Sequence, residues 1–173
     1  NIIDYYCFKP ILKNLKKLLT DRNDLKIAVA MKKSKDNADY EEHSDFIKKY
    51  LGDSIAIFPR VNLYSTYKVS DLSDLTISTF STSLRESFSR KNKILSCNYT
   101  GFKEFDQNFP DELLTENEDY KEFKEKVLSA LALSNDDYFN KHGHLIPYYN
   151  NYNIEKPTHI AINEIIKELM ETN

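Results

Sequence analysis

Four short apolar runs, separated by stretches that read as helices, restrict this chain more than any other feature. "LKIAVAM" (25–31), "SIAIF" (54–58), "LTIST" (75–79) and "KILSC" (93–97) are too short for buried helices and rich in β-branched residues, so each predicts a strand. Their apolar residues are mostly continuous rather than alternating, as in parallel strands covered on both faces. Between them lie "HSDFIKKYLG", stopped by Gly52, then "YSTYKVSDLS" and "TSLRESFSRK", all with helical spacing. Strand and helix in alternation predict repeated βαβ units. The expected fold is therefore α/β, a three-layer Rossmann-like domain with a mainly parallel sheet flanked by helices. Ligands of such sheets bind beyond the carboxyl ends of the strands, where the loops enter the helices.

The flanks fit one domain over residues 1–173. "FKPILKNLKKLL" sets Phe8, Ile11, Leu12, Leu15, Leu18 and Leu19 at helical spacing, with Pro10 expected in the first turn. Lys9, Lys13, Lys16 and Lys17 border that stripe, so weak attachment to a membrane surface stands beside packing on the sheet. "NEDYKEFKEKVLSALAL" reads as a helix and "SNDDYFNKHGHLIPYYNNYNIEK" as a looser segment. A closing helix from Thr158 carries Ile162, Ile165, Ile166, Leu169 and Met170 in a stripe. The net charge of -3 and the lack of a basic block argue against a nucleic-acid partner. The apolar stretches are too short to span a bilayer, and the N-terminal residues do not follow the secretory-signal pattern. We expect a cytoplasmic protein, peripheral at the inner membrane face if it binds membranes at all. The first residue is not Met, so the chain is expected to be a piece of something longer. Cys7 and Cys97 stand in no metal-ligand spacing and are expected to be free thiols.

The most informative local stretch is "DLTISTFSTSLRE", with hydroxyls at Ser78, Thr79, Ser81, Thr82 and Ser83 where a strand becomes a helix. A helix N-terminus exposes amide N–H groups and the positive end of the macrodipole, which suits a phosphate. The hydroxyls of Ser81, Thr82 and Ser83 add donors without adding charge, in a chain whose three glycines lie elsewhere. The alternative is plain capping: Ser83-Leu84-Arg85-Glu86 matches a capping box. One serine suffices for a cap, so the surplus hydroxyls favour a ligand. Arg60, just past "IAIFP", also follows a strand end and is a further candidate for the cleft.

The stretch "YSTYKVSDLSDLTISTFSTSLRESFSRKNKILSCNYTG" resembles the carboxyl-terminal half of GT-B glycosyltransferases, particularly those of bacterial surface-polysaccharide biosynthesis. Shared are a short helix, a strand, a Ser/Thr-rich turn, a helix with Glu near its start, "NKIL" and an Asn; "KPTHIAINEII" is similar to the closing helix. The resemblance implies a nucleotide-sugar-binding domain completed by an N-terminal domain that would supply the catalytic base. It implies a UDP-, CDP- or CMP-linked donor and a glycan or lipid-linked acceptor, in making capsule, O-antigen or lipopolysaccharide. Ser81, Thr82 and Ser83 would face the donor phosphate, and Glu86 the ribose hydroxyls. Where sialyl- and Kdo-type transferases carry His-Pro, this chain has "AMKKSKD", leaving Lys32 or Lys33 to supply positive charge by position. No cofactor or metal is required. Two rivals stay open: a sugar-nucleotide epimerase half-domain, and a non-enzymatic flavodoxin-like interaction domain in which the hydroxyls only cap.

Other features carry less. "HGH" (142–144) offers two loop histidines, fewer than a zinc site needs. "YYNNY" (148–152) can stack on a base or sugar, or cover the edge of the core.

Overall fold

The computed structural model describes residues 2–150 and 158–171. It is an α/β protein with two small parallel sheets. Along the chain run α1 (Ile2–Asp21), β1 (Ala28–Ala30), α2 (Tyr40–Leu51), β2 (Ala56–Phe58), α3 (Ser65–Asp71), β3 (Thr76–Ser78) and α4 (Thr82–Ser89). There follow β4 (Ile94–Cys97), β5 (Leu114–Thr115), α5 (Tyr120–Ala132), α6 (Asn135–His142), α7 (Ile146–Tyr149) and α8 (Thr158–Glu171). β1 pairs with β2, Val29 opposite Ile57, and β4 lies between β3 and β5. All these pairings are parallel. The crossovers β1–α2–β2 and β3–α4–β4 follow the expected βαβ pattern.

The four predicted strands form, each trimmed to its centre. They pair in two groups rather than in one sheet, and their burial differs. Every residue of β4 is buried, since it has a strand on either side. Its side chains alternate between two cores, as the period of a strand requires. Ile94 joins Leu84, Phe88, Phe109, Leu113 and Tyr138, whereas Leu95 and Cys97 join Ile11, Leu18, Phe123 and Val127. β1 and β2, paired on one edge only, leave Ala28, Ala56 and Phe58 exposed, so the continuous-run reading holds fully for β4 alone. A third core, under β1 and β2, gathers Leu12, Met31, Tyr40, Ile47 and Leu51. The apolar stripe of α1 is therefore consumed by packing, with Leu12 in one core and Ile11 and Leu18 in another.

Several boundaries differ from the sequence reading. α1 begins well before Phe8, so Pro10 lies inside the helix instead of in its first turn. Nothing in "IIDYYC" breaks a helix, and apolar residues continue through it. α2 stops at Gly52, whose φ of 85° and N–H bond to the Lys48 carbonyl oxygen make it the expected C-terminal cap. The segment read as loose contains α6, capped by Ser134, and α7. The strand β5 had no sequence signal, being two residues long. α8 forms with its stripe exposed at Ile162, Ile165, Ile166, Leu169 and Met170. Of the looser segment with its "YYNNY" and of "KPTHIAINEII", residues 151–157 lie outside the described residues. Among the described residues, no helix is long and apolar enough to cross a membrane.

Three buried side chains, Cys7, Cys97 and His142, give chemical predictions. Cys97 is fully enclosed, and burial pushes its thiol up to about 11, so at neutral pH it stays protonated and unreactive. Cys7 is also buried, and neither cysteine forms a disulfide. Both thiols should resist a thiol reagent in the folded protein and react once urea unfolds it. His142, read as a loop histidine, lies in the last turn of α6, buried with its ring 4.9 Å from that of Tyr138. Burial first, then the neighbouring Lys141 and His144 charges, lower its pKa below 6.5, while Glu112 opposes them. The folded state therefore holds fewer protons than the unfolded state. Its contribution is complete above the unfolded value and falls as pH drops below it towards the folded value. Urea unfolding at about pH 7.5 and about pH 5 should show a lower midpoint in acid, and His142→Gln should reduce the difference.

Candidate functional site

The site is built where β3 and β4 end. From Ser78 the chain passes through Thr79 and Phe80 to Ser81, the N-cap of α4, in extended conformation. The Ser81 hydroxyl accepts from the Ser83 amide at 3.3 Å and shares a hydrogen bond with the Ser83 hydroxyl at 2.7 Å. The capping box centred on Ser83 and Glu86 is not formed. The helix starts at Thr82, so Ser83 is already inside its first turn and Glu86 lies beyond it. The Glu86 carboxylate instead accepts from the Tyr67 hydroxyl at 2.8 Å, a bond that ties α3 to α4 and raises the Tyr67 pKa. Beneath it the Ser70 hydroxyl meets those of Thr76 (2.7 Å) and Ser87 (2.9 Å), and Arg90 pairs with Asp71.

Beside this corner lies a crevice of about 220 Å³ lined by Thr82, Arg85, Glu86, Tyr149 and Asn150. Arg85 and Tyr149 also face a larger open cavity of about 850 Å³. Its aromatic lining begins with Phe80 and Phe105, stacked with ring centres 4.4 Å apart, and continues with Tyr148 and Tyr149. Glu104, Gln107, Asn108 and His144 add polar groups.

Much of that cavity comes from the connection between β4 and β5, residues 98–113, which makes a parallel crossover without an α-helix. It holds two single-turn 3-10 helices, Lys103–Phe105 and Asp111–Leu113. Asn98, buried at the end of β4, organises it. Its amide nitrogen donates to the Phe102 carbonyl oxygen (2.8 Å) and to Asp106 Oδ1 (2.5 Å). Its oxygen accepts from the Thr100 amide (3.1 Å) and hydroxyl (2.5 Å). Gly101 takes φ 75°, which only glycine adopts freely. Gln107 and Asn108 both have φ of 56°, and two successive non-glycine residues in this region are held there by their surroundings. The Tyr149 hydroxyl donates to the Asn108 carbonyl oxygen at 2.6 Å, and its ring packs 4.4 Å from Phe109. The Gln107 Oε1 atom is buried and accepts no hydrogen bond from the described residues.

Of the residues singled out from sequence, Thr82 and Glu86 line the small crevice, while Ser81 and Ser83 support it through the cap. Lys32, Lys33 and Arg60 lie at the carboxyl end of the other sheet and line neither cavity. The Arg60 amide donates to the Lys33 carbonyl oxygen at 3.0 Å, and the Lys33 ammonium pairs with Asp39. Arg85 is the site cation that sequence reasoning passed over, as a spacer inside the capping-box match. Phe80, Phe105 and Gln107 were also missed, since none stands in a periodic pattern, whereas His144 and Tyr148, weighed in "HGH" and "YYNNY", do line the larger cavity. Among the described residues, no group of three or more His, Cys, Asp or Glu is placed to hold a metal ion. No protein-family model, curated protein or solved structure matches this chain.

Proposed function

We propose that this chain is the donor-binding domain of a GT-B glycosyltransferase that builds bacterial surface polysaccharide from nucleotide-sugars. One observation carries the reading: the strand β3 delivers a hydroxyl-rich N-terminus of α4 to an open crevice that also holds Arg85 and Glu86. Amide dipoles, the Thr82 hydroxyl and the Arg85 guanidinium together suit a phosphate leaving group, and Glu86 retains an oxygen for ribose hydroxyls. We read the two parallel sheets as parts of one three-layer Rossmann-like domain. Support comes from α1, which sends side chains into the cores associated with both sheets. The sugar acceptor and the catalytic base belong to the remainder of the enzyme, so the isolated domain binds donor and turns over little.

Calorimetric titration with UDP, CDP and CMP tests this. At least one should bind, and Thr82→Val and Arg85→Gln should each weaken it about tenfold or more, the worth of a hydrogen bond to a charged group. If none of the three binds, α4 is merely a capped helix and the interaction-domain reading takes its place.

A further inference from the structure

We infer that the turn after β2 is a membrane-docking surface, which inserts Val61, Leu63 and Tyr64 into the headgroup layer of an anionic bilayer. This goes beyond the donor-binding reading and does not depend on it. Val61 is 83% exposed, Leu63 72% and Tyr64 65%, and Phe58 is exposed beside them. Single apolar residues scattered on a surface need no explanation, but four within seven positions mark an interaction site. The lysine-bordered stripe of α1 packs into the cores, so it does not supply this contact.

The turn is held in shape by its own hydrogen bonds. The Ser65 hydroxyl accepts from the Val61 and Asn62 amides, both at 2.9 Å, and Asn62 Oδ1 accepts from the Tyr64 amide at 2.9 Å. The Ser65 amide donates back to the Asn62 carbonyl oxygen at 3.3 Å, and the Arg60 amide to the Lys33 carbonyl oxygen at 3.0 Å. Bonded amides lower the cost of carrying this backbone towards an apolar layer. Charge then selects the partner. Residues 54–70 hold Arg60 and Lys68 and no carboxylate. The adjoining residues 32–39 add Lys32, Lys33 and Lys35 against Asp36 and Asp39, and Asp39 is paired with Lys33. Lys32, Lys35, Arg60 and Lys68 are exposed. On a chain of net charge -3 this surface is cationic, so it complements anionic headgroups. Tyr64, an apolar ring with a polar tip, suits the headgroup boundary. The four apolar side chains line neither cavity, so they suit a bilayer that conforms to them better than a peptide that needs a groove.

The experiment is co-sedimentation of the whole chain with vesicles of phosphatidylcholine alone and of equal parts phosphatidylcholine and phosphatidylglycerol, at low and high salt. We expect binding to the anionic vesicles, weaker at high salt, and little binding to the neutral ones. Val61→Ser combined with Leu63→Ser, both exposed and outside the three cores, should weaken binding about tenfold or more, and Arg60→Gln about fivefold. The double variant should keep its urea midpoint and its nucleotide affinity, so this inference and the donor reading fail independently. Cys7 and Cys97 are buried, so a dye sensitive to its surroundings can be attached selectively at Leu63→Cys. Its emission should shift to the blue on anionic vesicles, and the same dye at Met170→Cys in α8 should not respond. The inference is overturned if the chain binds neither vesicle, if the double variant binds as well as the parent, or if only the Met170→Cys dye shifts. Retention on immobilised polyglutamate without vesicle binding overturns it in favour of an acidic protein partner.

Discussion

Phe88→Ala should lower the unfolding free energy by about 3–5 kcal/mol, a large part of the roughly 5–15 kcal/mol that holds a domain together. The ring is wholly buried and meets Phe109, Phe139 and Tyr149, with centres 6.3, 5.8 and 6.0 Å away. Truncation leaves a cavity that three aromatic neighbours from different segments cannot close, because each is anchored elsewhere. Tyr149, for one, is bonded to the Asn108 carbonyl oxygen. The effect should appear as a lower urea midpoint with an unchanged slope. Phe88→Leu should recover most of the loss. Since Tyr149 also lines the small crevice, nucleotide affinity there should fall in Phe88→Ala below its unfolding midpoint.

The second large effect is expected at Lys93, which is buried although charged. Its ammonium donates to the carbonyl oxygens of Ala130 (3.1 Å) and Leu133 (2.6 Å), at the end of α5. The last carbonyls of a helix lack intrahelical partners and carry the negative end of the dipole, so a cation there satisfies both needs. Lys93→Ala removes two charge-assisted bonds and the packed stem, and should cost about 2–4 kcal/mol. Lys93→Met keeps most of the stem and avoids burying a charge, so it should cost clearly less. Equal losses in the two variants, measured by urea unfolding, would mean that the stem contributes nothing. A negligible loss in Lys93→Met would mean that the ammonium bonds do not matter.

The folding pattern was largely legible in one dimension. Short apolar runs mark strands because a buried strand needs only a few residues of one character, and β1, β2, β3 and β4 appear where those runs lie. Gly52 ends α2 because the left-handed cap position is encoded in one residue. The helix N-terminus was legible for the same reason: Ser81 caps α4 through the backbone of its own helix. The cap register was not, because Ser81 and Ser83 are both competent caps and the packing of Leu84 and Phe88 into the core chooses between them.

What local residue chemistry specifies here is the order of strands and helices and one helix N-terminus suited to an anion. Which strands pair, and what surrounds that N-terminus, is decided by contacts between residues far apart in the chain. Arg85, Gln107 and Tyr148 share one cavity only because Asn98 folds the β4–β5 connection and Tyr149 fastens α7 against it. Those bonds have no period in sequence. They exist once the aromatic core around Phe88 has brought their partners within reach.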